Sequence, residues 1–464
     1  MERLGGEGTG ERASIGRVAL ASCAGTAIEY YDFFIYGTAA ALVFGQLFFP
    51  NQEPLVGTLA AFATYAVGFV ARPVGGLVFG HFGDRVGRQA MLVVSILMMG
   101  LATFSIGLLP TYAEAGLLAP VLLVVLRLIQ GFSVGGEWGG AALMTVEHAP
   151  EHQRGYYGSW TQAASPAGAL LATVVFAAFS SLPDEQFLAW GWRGPFLLSI
   201  ALVGVGLFIR LRVLETPAFS RLKEAGDRAR MPVAEALRDH PRSVLLAAGM
   251  NLGFNAFIFI LFTFMLSYAT GQLGVDRAVV LNGTLAGSAV QIFAVLAFSA
   301  LSDRVGRRPV MLAGAAFLAL YAFPLFWLVD TGNPVLIVLA VCLGFLGSAA
   351  IFGPMAAFVS ESFGTRVRYS GVSLGYQIGA VLGGGLSPFV ATALLGLSGG
   401  GSWSVSAYLL AGALVSLASV YLLAETYRST LSKYTVARAE HQGRPRRKPS
   451  APRRDNSSLA GPSG

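Results

Sequence analysis

Gly80-His81-Phe82-Gly83-Asp84-Arg85-Val86-Gly87-Arg88 lies between two apolar runs, and an altered copy returns far downstream. The copy reads Ser299-Ala300-Leu301-Ser302-Asp303-Arg304-Val305-Gly306-Arg307-Arg308. Asp-Arg-Val-Gly-Arg is identical in both, beginning at Asp84 and at Asp303. A repeat at so long a distance indicates two similar halves rather than a short structural repeat.

The composition is that of a polytopic membrane protein. Of the 464 residues 54% are hydrophobic and only 12% are charged, and the mean hydropathy is +0.62. A soluble domain carries roughly 25% charged residues. The net charge of +7 is spread over short segments between apolar runs, which fits an anionic inner leaflet better than nucleic acid. We therefore expect the lipid bilayer, and no nucleic acid, as a partner.

Twelve apolar runs are long enough to cross a bilayer, which takes roughly 20 residues. The first half holds six, at about 17–49, 55–79, 90–109, 117–148, 156–182 and 192–212. The second holds six, at about 242–271, 277–300, 309–329, 335–361, 369–396 and 403–424. The predicted fold is an all-α membrane protein in which two pseudo-symmetric six-helix bundles surround a central cavity.

Polar segments divide the chain around these runs. We predict a cytoplasmic N-terminal segment at 1–14, bundles at 15–212 and 242–428, a cytoplasmic linker at 213–241, and a basic, disordered tail at 429–464. Basic residues cluster in every second connection, and such segments stay in the cytoplasm. We expect a monomer that crosses the cell membrane many times, with both termini in the cytoplasm.

Further repeats support the duplication. Glu147 and Arg154 follow the fourth run as Glu361 and Arg368 follow the tenth, and a Glu-Thr pair ends each half, at 215–216 and 425–426. Duplicated six-span halves are a transporter architecture, in which the halves rock to expose a central site alternately.

Taken together, these motifs resemble the major facilitator superfamily and, within it, the metabolite:proton symporters, which include shikimate, 2-oxoglutarate, citrate and proline/betaine carriers. The resemblance covers roughly 15–428, and its most specific stretch is Arg-Leu-Ile-Gln-Gly-Phe-Ser-Val-Gly-Gly-Glu-Trp-Gly-Gly at 127–140. Other matching stretches are Glu29-Tyr30-Tyr31-Asp32-Phe33, Arg72-Pro73-Val74-Gly75-Gly76, Trp190-Gly191-Trp192-Arg193 and Tyr369-Ser370-Gly371. The resemblance implies proton-coupled symport of a small organic acid or zwitterion by alternating access.

A second reading stays open. The glutamate-threonine pairs that end each half resemble motifs of sugar porters. The fifth run reads Ala163-Ala164-Ser165-Pro166-Ala167-Gly168, a poor match to the Gly-Pro motif of drug and proton antiporters, which weakens an antiporter reading without excluding it. A sugar:proton symporter or a drug:proton antiporter of the same superfamily is therefore the alternative.

Ionisable groups inside the spans are candidate functional groups because each costs about 3 kcal/mol to insert. Glu29 and Asp32 share one helical face near the midplane, roughly 18 Å along the helix from Arg17. With Glu137, they are the candidates for proton coupling. A structural pair held by a basic neighbour or by backbone donors is the competing interpretation for Glu29 and Asp32, and a strut between helices for Glu137.

Arg127 is the expected partner for a substrate carboxylate, because it lies near mid-membrane and its planar fork suits that group. The other role open to it is neutralising Glu29 or Asp32. By position along its helix, it is the only arginine expected at that depth. Arg72, roughly 12 Å inside the cytoplasmic edge, is expected to act as a gate or a structural ion pair.

Uncharged polar groups inside the spans can complete a substrate site by hydrogen bonding, although bonds between helices explain each of them equally well. The substrate-binding candidates are Tyr30, Tyr36, Gln130, Asn251, Asn255 and Gln377. The five histidines show no convincing metal-ligand spacing, and the sequence has no GxxxxGK[ST] loop. We expect no cofactor, no metal and no enzymatic activity, with a small molecule and protons as the ligands.

The repeated loops lie on the cytoplasmic side in this topology, between the second and third spans of each half. That position indicates control of the inward gate, where an aspartate can accept from helix N-terminal N–H groups or pair with an arginine. The predicted gating residues are Arg72, Gly83, Asp84, Arg85, Gly87, Arg88, Asp303 and Arg304.

Asp84→Asn should cripple transport while leaving substrate affinity nearly unchanged, because the gate and not the binding site loses a charge. Turnover and KM in reconstituted vesicles measure the two effects separately. We expect a milder effect at Asp303, where serines replace two glycines of the loop. A large loss of affinity with normal turnover would contradict the gating role.

Overall fold

A computed structural model of the chain describes residues 25–86, 88–135, 149–212, 237–363 and 368–427, together with residues 23, 142, 145 and 146. The regular elements in these ranges are all helices. The first half contributes α1 Gly25–Phe48, α2 Pro54–Val86, α3 Arg88–Gly107, α4 Leu118–Val134, α5 Arg154–Ser180 and α6 Arg193–Arg212. The second contributes α7 Pro241–Gly271, α8 Arg277–Val305, α9 Arg307–Val329, α10 Pro334–Ser362, α11 Gly371–Leu397 and α12 Trp403–Leu422.

Each predicted span has a helix in the described part of the chain. Nine of these helices are long and apolar enough to cross a membrane, and a tenth span forms when α6 is joined to Asp184–Gly191 across a 43° bend. Shorter apolar helices at Val93–Gly107 and Leu118–Val134 represent the third and fourth spans.

Polar caps and prolines determine where several helices begin. Asp276 accepts a hydrogen bond from the backbone of Ala278 at the start of α8, and Asn333 caps α10 in the same way. Thr111 and Glu114 form a capping box between α3 and α4. The Thr111 backbone N–H, which donates to the Glu114 carboxylate over 2.7 Å, holds the pKa of that carboxyl below its usual value.

The two halves repeat each other in packing as well as in sequence. In the first half α2 packs on α4, α3 on α4 and α3 on α6. The corresponding helices of the second half make the corresponding contacts: α8 with α10, α9 with α10 and α9 with α12. The halves meet where α2 contacts α11 and where α5 contacts α8 and α10. The duplication inferred from the loops therefore extends to the helix packing.

Short π-helical turns interrupt α1 at Ala40–Phe44 and α7 at Ile260–Phe264. Their spacing is nearly that of the two Asp-Arg-Val-Gly-Arg copies, so they are equivalent positions of the repeat. The two turns lie against each other across the halves, and a Cβ on Gly37 would come within 2.9 Å of the Thr263 hydroxyl. Such turns widen a helix locally and are frequent at functional sites.

Glycines bring α2 and α4 into backbone contact. A Cβ on Gly131 would overlap the carbonyl oxygen of Gly68, and one on Gly135 would overlap that of Arg72. Two backbones this close leave no room for a side chain between them. Small residues at these two positions of the fourth span therefore serve close helix packing.

Gly131→Ala should lower the thermal stability of the purified protein, because overpacking a tight contact costs about 1–3 kcal/mol. Gly204→Ala on α6 is the matched control, since a Cβ there meets nothing within 4 Å. Unfolding temperatures in detergent compare the two variants with the wild type. An unchanged temperature for Gly131→Ala would show that the two helices can separate without cost.

Candidate functional site

A cavity of about 30 Å³ lies between the first half and α11. That volume holds one or two water molecules. The cavity wall combines residues from α1, α2, α3, α4 and α11: Thr26, Glu29, Tyr30, Asp32, Phe33, Arg72, Met99, Arg127, Gln130, Gly131, Val134, Tyr376 and Gln377.

Two arginines of the cavity wall lie in an aromatic box formed by Phe33, Tyr36, Tyr65 and Phe69. The guanidinium carbon of Arg127 is 4.1 Å from the Tyr36 ring centre, 4.7 Å from that of Phe33 and 4.8 Å from that of Tyr65. The guanidinium carbon of Arg72 is 4.2 Å from the Phe69 centre and 4.4 Å from that of Phe33. Ring faces attract cations, and the attraction grows when water is excluded.

The shared Phe33 ring corrects one sequence-based expectation. Arg127 is not alone at its depth, because the Arg72 guanidinium contacts the same ring. The position of a residue along its helix gave the depth of its Cα, but the long arginine side chain extends from there into the cavity wall.

A chain of hydrogen bonds joins Arg127 to Asp32. Arg127 Nη1 donates to Gln130 Oε1 over 3.1 Å, Gln130 Nε2 donates to Thr103 Oγ1 over 2.7 Å, and Thr103 Oγ1 donates to Asp32 Oδ2 over 3.0 Å. All four side chains are buried, with at most 3% exposed. The sequence left open a direct ion pair between Arg127 and an acid of α1, whereas here two polar side chains connect Arg127 to Asp32.

Several buried polar atoms of the cavity wall have no hydrogen-bond partner within the described chain. They are Arg127 Nε and Nη2, Arg72 Nε, Asp32 Oδ1 and Gln377 Oε1. Leaving a buried polar atom unpaired costs about 1–3 kcal/mol, and more for a charged group. Three of the five are guanidinium nitrogens, which can only donate. The cavity therefore offers donors to a ligand that carries acceptors.

The second half reaches the cavity through α11. The hydroxyl groups of Tyr30 and Tyr376 lie 3.1 Å apart, and Gln377 Nε2 donates to the Gly135 carbonyl over 3.0 Å. Both bonds cross between the halves, so any separation of the halves at this point breaks them.

The other polar residues predicted to bind substrate make hydrogen bonds within the protein. Tyr36 bonds Thr64 through its hydroxyl over 2.6 Å, and its ring faces Arg127. Asn251 donates to the Tyr376 carbonyl over 2.8 Å, and Asn255 donates to the Asn251 side chain over 2.7 Å. The two asparagines are buried behind α11 and outside the residues that line the cavity.

Asp303 closes the seam between the halves at the end of the bundle where α8 turns into α9, here called the loop end. Its two carboxylate oxygens accept from the backbone N–H groups of Gly155 and Tyr156, over 3.0 and 2.8 Å, at the start of α5. Helix N-termini carry unpaired donors and a partial positive charge. One acid of the second half thus holds a helix of the first.

Arg307 keeps Asp303 in place and connects it to a buried acid. Its guanidinium bonds Asp303 over 2.5 Å and Glu361 over 3.4 Å. Glu361 also accepts from the Thr426 hydroxyl over 2.6 Å. The carboxylate of Glu425 accepts from the backbone N–H groups of Arg307 and Arg308, over 3.1 and 3.0 Å, at the start of α9.

The opposite end of the bundle is closed as well. Arg277 at the start of α8 pairs with Asp184 over 2.9 Å and donates to the Ser180 carbonyl over 2.6 Å. Between this pair and the cavity, Phe34 of α1 lies 4.3 Å from Phe262 of α7, measured between ring centres. The halves are therefore in contact at both ends of the described bundle.

Comparison with known proteins identifies the architecture. The family model described as Major Facilitator Superfamily matches residues 22–375. The chain belongs to the major facilitator superfamily. Among solved structures, a proton:xylose symporter bound to 6-bromo-6-deoxy-D-glucose superimposes with a TM-score of 0.71 at 19% identity, covering 92% of this chain and 99% of that one. At that identity the likeness supports the fold alone.

Curated relatives are transporters. The chain is 42% identical over 427 residues to a shikimate transporter of Escherichia coli (strain K12), covering 91% of this chain and 98% of the relative. It is 36% identical over 433 residues to a glycine betaine/proline/ectoine/pipecolic acid transporter of Dickeya dadantii (strain 3937), covering 90% and 85%. The predicted superfamily, its all-helical fold and a transporter of small organic molecules are confirmed.

Several gating and coupling candidates of this major facilitator protein lie beyond what the structure describes. Glu137 and Gly87 are outside the described residues, as are the side chains of Asp84, Arg85 and Arg88. Gly83 lies within α2. Arg304 is exposed beside Asp303, and Arg72 lies in the cavity wall rather than at the loop end.

Some residues that complete the site were not among those predicted from the sequence. Arg307 stands four residues after Asp303, a spacing that brings helical side chains together, so the pattern held that signal. Glu361 appeared only as part of a repeat. Thr103 and the ring of Phe33 gave no signal, because threonine and phenylalanine are ordinary residues of apolar helices.

Asp303→Asn should open the loop end, because an amide cannot accept two backbone N–H groups and an arginine at once. Losing a charge-assisted bond costs about 1.5–3 kcal/mol, a shift of roughly tenfold or more in the balance of closed and open states. Labelling of Met99→Cys by an impermeant maleimide, in a protein whose two native cysteines are serine, measures the change. Arg242→Gln, which alters an exposed arginine at the start of α7, should leave the labelling rate unchanged, and equal rates for all variants would contradict the seal.

Proposed function

We propose that the chain couples proton movement across the cell membrane to transport of a small organic anion, with Arg127 and Arg72 binding its carboxylate and Asp32 and Glu29 exchanging the proton. The observation that carries this proposal is the buried Arg127 guanidinium, with two unpartnered nitrogens in a cavity wall. A guanidinium fork matches the two oxygens of a carboxylate.

The aromatic box supports an anion over a quaternary ammonium compound. Binding of such a cation uses open aromatic faces, and here the chain's own guanidinium groups stack on Phe33, Tyr36, Tyr65 and Phe69. A betaine would have to displace a cation that the protein itself supplies. The relative that transports shikimate, a carboxylate, fits this site better than the relatives that transport betaines.

The charges in the cavity wall link anion binding to protonation. Among the described residues, the wall holds two guanidinium groups and two carboxyl groups. When one carboxyl group takes a proton, the wall gains a net positive charge, and a monoanion restores neutrality. Each ligand then favours binding of the other, and this coupling is reciprocal.

The small volume of the cavity supports alternating access. A space of about 30 Å³ cannot admit a substrate of the size of shikimate while both ends are closed. Entry requires the halves to rock apart at one end, breaking either the Asp303 contacts at the loop end or the Arg277 pair at the opposite end.

The proposal also covers the orientation of the protein in the membrane and its oligomeric state. The basic residues of the connections support both termini and the loop end in the cytoplasm, and the six-plus-six division of 15–212 and 242–428 supports a monomer with one central pathway. Asp84 with its loop, by repeat symmetry with Asp303, controls the inward gate. Transport rather than an enzymatic reaction is the whole activity.

Uptake of radiolabelled shikimate into proteoliposomes should depend on an inward proton gradient and collapse when a protonophore dissipates it. Unlabelled organic acids should compete with it, and glycine betaine should not. Arg127→Lys should reduce uptake roughly 10- to 100-fold, because a lysine keeps the charge but loses the fork. Arg242→Lys, at an exposed site at the start of α7, is the control and should transport normally.

Three results would change the proposal. Uptake that is indifferent to the gradient would sink the coupling. Competition by betaine and not by organic acids would replace the anion with a zwitterion. Gradient-driven uptake of xylose with no response to either class would support a sugar:proton symporter, the alternative that the glutamate-threonine motifs favour.

A further inference from the structure

The hydrogen-bond chain between Arg127 and Asp32 has only one possible direction. A guanidinium can only donate, so Gln130 must turn its oxygen toward Arg127 and its amide nitrogen toward Thr103. The Thr103 oxygen accepts from that nitrogen over 2.7 Å. Its single proton must then be donated elsewhere, and each step of the chain directs a donor toward Asp32.

Thr103 has two acceptors for that proton. Its hydroxyl oxygen lies 3.0 Å from Asp32 Oδ2 and 2.9 Å from the Met99 carbonyl oxygen, one turn earlier on α3. An ionised carboxylate makes the stronger, charge-assisted bond. A protonated carboxyl group loses that advantage, and the hydroxyl then turns to the carbonyl. The free oxygen Asp32 Oδ1 has no partner and is open to a proton from the cavity.

Gln130 takes part in this chain at both ends of its amide. Its oxygen bonds Arg127 and its nitrogen bonds Thr103, which fixes the orientation of the amide. Gln130 therefore has a positioning role in addition to the substrate contact predicted from the sequence.

We propose that Gln130 and Thr103 form a coupling relay, through which the protonation state of Asp32 sets how Arg127 is held and hence its affinity for an organic anion. With Asp32 ionised, the relay is complete and restrains one edge of the guanidinium. With Asp32 protonated, the Thr103 proton turns to the Met99 carbonyl and the chain loses its charge-assisted end. Because hydrogen bonds in a chain polarise and strengthen one another, the bonds from Gln130 to Thr103 and from Arg127 to Gln130 weaken, and the guanidinium is freer to close on the anion. Thr103 is a positioning residue, because it acts through Arg127 and Asp32.

Other charged and titratable groups face Asp32, and the relay acts within their field. They are Glu29 and Tyr30 on α1, Arg72 on α2, Arg127 on α4 and Tyr376 on α11, which line the cavity together with Asp32. Thr103 donates to Asp32 Oδ2 and carries no charge. A substitution at Thr103 therefore changes the relay without changing the charge of the cavity.

Thr103→Val tests the relay, because valine keeps the shape of threonine and removes the hydroxyl, and Thr103→Ser is the matched control that restores it. Full-length protein in nanodiscs is titrated with shikimate at pH 6 and at pH 8. This test rests on the proposed anion symport. Wild type and Thr103→Ser should bind more tightly at pH 6, by about fivefold or more, as is typical of coupled sites. Thr103→Val should show a clearly smaller difference between the two pH values, because only the charge of the cavity then links protonation to binding. A Thr103→Val protein with the full pH dependence of the wild type would overturn the relay.

A second measurement needs no substrate. The carboxyl band of Asp32, assigned by its loss in Asp32→Asn, is followed by infrared difference spectroscopy during a pH titration. The midpoint should shift in Thr103→Val and in Thr103→Ala but not in Thr103→Ser, and an unchanged midpoint in folded variants would overturn the relay even if shikimate is not the substrate. Loss of gradient dependence in the wild type would instead reject the proposed symport, so the two failures are distinguishable.

Discussion

Keeping a guanidinium ion inside the membrane is the constraint on which the rest of this structure depends. Inserting an arginine at mid-membrane costs about 3 kcal/mol even with the relief that neighbouring groups provide. Arg127 is buried to 1% exposure, and Gln130 is its one hydrogen-bond acceptor among the residues that the structure describes. The rings of Phe33, Tyr36 and Tyr65 supply most of its surroundings, and aromatic faces stabilise a desolvated cation without neutralising it. The charge therefore remains available to a ligand.

The glycines of α2 and α4 follow from the same constraint. A Cβ on Gly68 would come within 2.5 Å of Arg127 Nε, so the guanidinium occupies the space that a side chain would take. Gly131, one turn after Arg127, lets α4 approach the backbone of Gly68. The tight packing of two helices and the position of one cation are thus a single arrangement, since the backbone contact fixes where the arginine can lie.

The sequence predicted the parts of the structure that depend on periodicity and repetition. The helices at the predicted apolar runs follow from run length, and the matching packing of the two halves follows from the repeated motif. Position along a helix predicted the depth of the arginine side chains less well, because the Arg72 side chain reaches the ring of Phe33 from a turn nearer the loop end. The aromatic box and the role of Thr103 could not be predicted from the sequence. Both depend on the angles at which α1, α2 and α3 pack, and the sequence of a single helix does not determine those angles.

The two halves repeat each other in packing but differ in where they carry charged groups. At the loop end, acids and arginines of the second half hold the first half through Asp303 and Arg307. In the cavity, by contrast, the described charged groups all belong to the first half, and the second contributes only Tyr376 and Gln377. The chain from Arg127 to Asp32 uses α4, α3 and α1 alone. Rocking of the halves can therefore break the hydrogen bonds between Tyr30 and Tyr376 and between Gln377 and Gly135. The hydrogen bonds that link Arg127 to Asp32 lie within the first half and are kept.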